Sequence, residues 1–147
     1  MGYESVSDRP SSGGCSGVYM DFEVGKFKTK RKHARVFKRE CRRWIRFFGL
    51  HGWRVYFDHA GDDENLAWLE GNVEARAVTI GLATEWGVKP TKHKLRMVAF
   101  HEACELLLYR LHCAAKNRWA TEAEMNGARH EVVQMLTNTI WKRGYKA

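Results

Sequence analysis

"FHEACELLLYR", Phe100 to Arg110, sets one histidine and two glutamates inside an otherwise apolar run of a 147-residue chain. Whether this run is a helix, and which side of it meets water, decides the fold. Wound at about 100° per residue, the wider stretch 95–113 carries apolar side chains around nearly its whole circumference, from Leu95, Val98 and Phe100 to Leu106, Leu108 and Leu111. A helix apolar all round predicts burial. His101, Glu105 and His112 nevertheless fall within an arc of roughly 40° on the same wheel, bordered by Glu102 and Tyr109. The expectation is a largely buried helix with one polar seam. A buried carboxylate needs a cation or hydrogen-bond partner. The seam is therefore expected to take a metal ion, or Arg76 or Arg129 from neighbouring elements.

Working outward, the long helix is expected over about Thr91 to Ala115, after a break at Pro90. A last helix runs from about Thr121 to Lys142, opened by the capping box "TEAE", Thr121 to Glu124. Upstream, Val36, Phe37, Cys41, Trp44, Ile45 and Phe48 recur at three- and four-residue steps, which predicts a helix from about Lys32 that stops at Gly49. Between the helices, "GWRVYFDH" (Gly52–His59), "LAWLEGN" (66–72) and "EARAVTIGL" (Glu74–Leu82) read as three strands, with "AGDDEN" as a turn. The order helix, three strands, helix, helix predicts an α+β domain with a small antiparallel or mixed sheet.

Length suits one domain with a real core, and six Trp supply large anchors for it. Residues 1–25 are rich in Ser and Gly and predict a flexible N-terminal tail ahead of a single domain over 26–147. The first twenty residues lack the charged and apolar regions of a secretory signal, and the chain has no apolar run of transmembrane length. A cytoplasmic protein without membrane contact is expected. Cys15, Cys41, Cys104 and Cys113 are scattered, with no CxxC pair, and read as reduced thiols rather than a cysteine zinc site. P-loop, GxSxG, Rossmann and di-iron carboxylate patterns are absent from the sequence.

The net charge of +8 is concentrated. From Lys26 to Arg46 the segment "KFKTKRKHARVFKRECRRWIR" holds eleven Lys or Arg against the single acid Glu40. Lys30, Arg31, Lys32, Arg35, Lys38, Arg39, Arg42 and Arg43 are candidate phosphate contacts for a nucleic acid. The plainer account of the same block is a solvated arm that aids solubility.

His101-Glu102-Ala103-Cys104-Glu105 is one residue short of HExxH. In that motif, residues i and i+4 share a helix face and grip one zinc ion, while the intervening Glu acts as general base toward the bound water. Here His101 is the candidate first ligand and Glu102 the candidate base. Glu105 takes the place of the second histidine. A carboxylate also binds zinc, and as a harder ligand it admits Mn²⁺ or Fe²⁺ beside Zn²⁺. A third ligand is sought on the last helix among Glu124, His130 and Glu131. His130 is preferred because it restores a His₂-carboxylate set, although it reads equally as a surface histidine beside a packed stripe. His112 lies about 16 Å along the helix from His101 and cannot share its ion.

With "WRVYFDH", "AVTIGL", "FHEACELLL" and "EMNGARHEVVQMLTNTI" in that order, the chain from about Arg35 to Trp141 resembles the small zincin-like metallopeptidases often encoded by bacteriophages. These are loosely akin to SprT-like and minimal gluzincin folds. The resemblance implies a zincin-like fold. It also implies His101 as metal ligand, Glu102 as base, a third ligand near His130 and Glu131, and "AVTIGL" as the edge strand beside a cleft, where a polypeptide substrate adds by β-augmentation. The departure at Glu105 sets two readings side by side. One is a metal-dependent peptidase-like hydrolase. The other is a non-catalytic module that reuses the fold to bind a protein or, through its basic segment, nucleic acid.

Overall fold

The computed structural model describes residues 26–62 and 64–141. The expected N-terminal tail, Cys15 and the last residue of the expected final helix lie outside them. Among the described residues the chain forms three α-helices and two small sheets, a mixed α+β architecture. In chain order the elements are β1 (Phe27–Lys28), α1 (Arg31–Phe47), β2 (Arg54–Ala60), β3 (Ala67–Asn72), β4 (Ala77–Ala83), β5 (Glu85–Trp86), α2 (Lys92–Lys116) and α3 (Glu122–Leu136). A π-helical turn, Thr137–Trp141, replaces the straight continuation of α3 that periodicity predicts. Among the described residues no helix is long and apolar enough to cross a membrane.

Helix boundaries follow local chemistry. α1 ends in a Schellman motif: Leu50 N–H donates to Ile45 C=O, Gly49 N–H donates to Arg46 C=O, and Gly49 takes a φ of 71°. That left-handed position is the physical reason for a glycine there. α2 is capped by the Thr91 hydroxyl, which accepts from Lys94 N–H. α3 is opened by the reciprocal Thr121–Glu124 capping box expected from "TEAE".

The three-stranded sheet has the order β2-β4-β3, with β2 parallel and β3 antiparallel to β4. This corrects one expectation. "AVTIGL" lies in β4, the central strand, and both its sides are already paired, so it cannot accept a peptide by β-augmentation. The edges are β2 and β3. Strand alternation puts Val55, Phe57, Leu69, Val78, Ile80 and Leu82 on one face, and that face is covered by helices. Lys38 and Arg42 of α1 sit over the Phe57 ring on the β2 side. On the β3 side the Tyr109 hydroxyl of α2 donates to Gly71 C=O at 2.8 Å. On the other face the Trp68 indole lies flat across Gly81, where an added Cβ would meet the ring at 2.0 Å.

The core lies where α1, α2 and the covered face of the sheet meet. Phe37, Ile80, Leu82 and Leu106 are fully buried, each contributing roughly 1.5–3 kcal/mol through burial. Small residues set the close approach of α1 and α2: Cys41, Ala99 and Ala103 have no exposed surface, and the Cys41 thiol lies 3.7 Å from Ala99 C=O. Burial pushes that thiol far above the usual range, and it stays a protonated, inert side chain.

α2 is not buried all round. Met97, Phe100 and Leu108 are 43%, 41% and 45% exposed, so one apolar stripe of the helix faces solvent. The sheet, α1 and α3 cover its other sides.

Candidate functional site

The α2 seam lies on the solvent side, which removes the need for a buried cation partner. His101 Nε2 and Glu105 Oε1 stand 3.1 Å apart on successive turns, with side chains 51% and 44% exposed. A polar contact so exposed contributes at most about 1 kcal/mol. His112 is exposed further along the same helix. Arg76, one of the two cations expected to neutralise the seam, instead pairs with Glu131 at 3.5 Å and lies over the Trp53 ring. The other, Arg129, is exposed on α3.

Glu102 is the buried carboxyl of this helix, 4% exposed. It faces inward, near enough to the Cys41 thiol of α1 to raise that group's pKa further. Its Oε2 has no hydrogen-bond partner. Burial first, and the negative charge of Glu105 second, push its pKa up to about 8. At neutral pH the carboxyl is therefore mostly protonated, whereas a general base must be ionised.

The candidate third ligands lie elsewhere. α3 turns back along α2 after the connection 117–121, and Glu131 bonds Arg110. Arg110 is nine residues, about 14 Å of helical rise, beyond His101. His130 sits beside Glu131 and is exposed at that far level. Glu131 is held by Arg110 and Arg76, and Glu124 is occupied in the cap of α3, which holds its carboxyl below the usual range. Among the described residues no group of three or more His, Cys, Asp or Glu side chains is placed to hold a metal ion. His101 and Glu105 offer two donors. A catalytic zinc centre takes three from the protein, so the described residues do not by themselves complete one.

The second candidate site is α1. Arg35, Arg39, Arg42 and Arg46 recur at steps of four, three and four and share one exposed stripe. Over its length the stripe spans about 16 Å. Lys38 flanks it, its ammonium 5.3 Å from the Phe57 ring centre, and Arg42 lies 5.5 Å from the same ring. The one acid of the helix, Glu40, is turned inward and buried, bound by Arg43 at 3.3 Å and Arg96 at 3.4 Å. Among the described residues none of Arg35, Lys38, Arg39, Arg42 and Arg46 has a carboxylate partner. At the N-terminal end Lys30, Arg31 and Lys32 are exposed and the first turn holds no acid, the unfavourable sign for the helix dipole. Lys30 N–H donates to His33 Nδ1 at 3.1 Å. That bond needs a neutral imidazole, and burial together with Lys32 and Lys30 lowers the His33 pKa.

Two shallow depressions run along this face. One, of about 450 Å³, is lined by Arg35, Lys38, Arg39, Arg42 and Arg46. The other, of about 350 Å³, is lined by Arg43, Trp44, Arg46 and Phe47. Arg46 borders both. It lies in the basic segment but outside the eight candidates drawn from the sequence, although its position eleven residues after Arg35 completes the stripe. The aromatic end was also missed. Periodicity assigns Trp44 to the core, yet its ring is half-buried and meets the exposed Phe100 edge-on at 4.7 Å.

No family model, curated protein or solved structure matches the chain, so no relative supports the zincin-like resemblance of its helix motif.

Proposed function

We propose that the protein binds nucleic acid through the exposed face of α1. The observation that carries this reading is the stripe Arg35, Arg39, Arg42 and Arg46, flanked by Lys38, with no carboxylate partner among the described residues while the only acid of the helix is buried and neutralised. Like charges one helical turn apart destabilise a helix by a few tenths of a kcal/mol per pair. A row of phosphates removes that repulsion and releases its own counterions. The test is the double charge reversal Arg39→Glu/Arg42→Glu, assayed by fluorescence anisotropy on a labelled oligonucleotide at moderate salt. Both side chains are exposed, so the fold is retained. The expected result is loss of binding by at least two orders of magnitude; unchanged binding would sink the proposal.

A second reading keeps the peptidase resemblance: a metal-dependent hydrolase on a zincin-like scaffold, with a polypeptide substrate and Zn²⁺, Mn²⁺ or Fe²⁺. It is favoured by the HExxE pattern and by the proximity of His101 and Glu105, and it requires a third ligand. Metal content by plasma mass spectrometry tests it. About one ion per chain that is lost in His101→Ala supports the reading; no ion after incubation with Zn²⁺ or Mn²⁺ removes it.

A further inference from the structure

We infer that the nucleic acid is single-stranded, and that a splayed base stacks on the aromatic cluster at the C-terminal end of the basic stripe. The inference rests on the nucleic-acid reading of α1 and adds the substrate class. Its ground is a juxtaposition. The depression lined by Arg43, Trp44, Arg46 and Phe47 adjoins the purely basic one through Arg46. A backbone that follows the arginine stripe is thus led onto rings. Trp44 meets Phe100 edge-on at 4.7 Å and Phe47 at 5.4 Å. The Arg43 guanidinium lies 5.2 Å from the Trp44 ring centre. Phe100 remains 41% exposed although its α2 neighbours Ala99 and Ala103 are completely buried.

Phosphate contacts alone do not distinguish a duplex from a single strand. In a duplex the bases are paired and stacked, and their faces are not available to side chains. A single strand can turn a base outward, and every base has a π-face, so aromatic rings beside a cationic track favour single strands with little sequence preference. The charge pattern selects the occupant of the apolar patch. Arg46 at its rim, without a carboxylate partner among the described residues, and the basic stripe it continues complement a polyanion and oppose a basic partner.

The experiment uses the whole chain and three probes at one salt concentration: a fluorescein-labelled 15-nucleotide oligo-dT, a 15-base-pair duplex, and vesicles containing one-third anionic lipid. Anisotropy reads the first two and co-sedimentation the third. The inference expects the single strand to bind at least roughly fivefold tighter than the duplex, the lower end of what one stacked base contributes. It also expects Phe100→Leu to abolish that advantage and Phe100→Tyr to keep it. Phe100 is partly exposed, so both variants fold, and circular dichroism checks this. Equal affinity for strand and duplex, or a preference untouched by Phe100→Leu, overturns the stacking inference and leaves the basic-face reading standing. Vesicle binding without oligonucleotide binding, or no binding to any probe, overturns both.

Discussion

Glu102→Gln isolates the most unusual electrostatic feature of the fold. The wild-type carboxyl ordinarily titrates at 4.5 and is pushed to about 8 by burial and by Glu105. In the unfolded chain it ionises near its ordinary value. Below about pH 4.5 both states are protonated and the group does not weaken the fold. Between about 4.5 and 8 the unfolded state sheds the proton while the folded state keeps it. Stability then falls as pH rises, by up to about 1.4 kcal/mol per pH unit. Above about 8 the loss levels off. Three and a half units amount to about 5 kcal/mol in total, of which about 3 kcal/mol is already lost at pH 7. Glutamine has the same shape and no titration. Its amide takes a fixed offset of about 1–3 kcal/mol if unpartnered, and that offset does not vary with pH. Urea unfolding of both proteins at pH 5, 6, 7 and 8, with a chelator present, gives the difference in stability directly. The difference is expected to move in favour of the glutamine variant by about 1 kcal/mol or more per pH unit. A difference that stays constant across this range would refute the buried, protonated state of Glu102.

Three further substitutions probe the packing of the helices and of the sheet. Ala103→Leu introduces three carbons where α1 and α2 meet without a gap and is expected to destabilise by about 1–3 kcal/mol or more in denaturant unfolding. Gly81→Ala drives a methyl into the Trp68 ring; thermal melting is expected to show a lower Tm, and tryptophan emission a red shift as the indole leaves the sheet. Tyr109→Phe removes the hydroxyl that ties α2 to Gly71 on the edge strand β3, with an expected loss of about 1 kcal/mol and faster amide exchange along β3. An unchanged midpoint in any of the three would contradict the contact concerned.

The three helices and the strands of the larger sheet were legible because each is governed by local chemistry, whereas the two-residue strands β1 and β5 carry no periodicity and were not expected. The apolar spacing from Val36 to Phe48 gives α1, Gly49 gives its end, "TEAE" gives the cap of α3, and strand alternation gives the covered face of the sheet. Alternation says which side chains share a face but not which strand sits in the middle. The central place of β4 therefore had to come from the structure, and with it went the edge-strand role of "AVTIGL". The seam was misread for a related reason. A hydropathy wheel counts apolar residues without knowing how many sides of the helix have neighbours, and α2 leaves Met97, Phe100 and Leu108 toward water beside His101 and Glu105. The expected pairing of His130 with His101 needed the relative register of two antiparallel helices. That register is set by the 117–121 connection and by the Arg110–Glu131 bond, which no single-helix periodicity contains. The basic face was visible as composition. Its organisation into one stripe, with Glu40 withdrawn beneath it, depended on which side of α1 packs.

The measurement that bears most directly on the central claim is the salt dependence of nucleic-acid affinity for the wild-type chain, taken from 50 to 300 mM monovalent salt. If Arg35, Lys38, Arg39, Arg42 and Arg46 each neutralise one phosphate, log K falls against log salt with a slope of about −3.5 on a single strand and about −4.5 on a duplex. A slope shallower than about −1, or no measurable binding at 50 mM, would contradict the account and leave α1 a solvated helix.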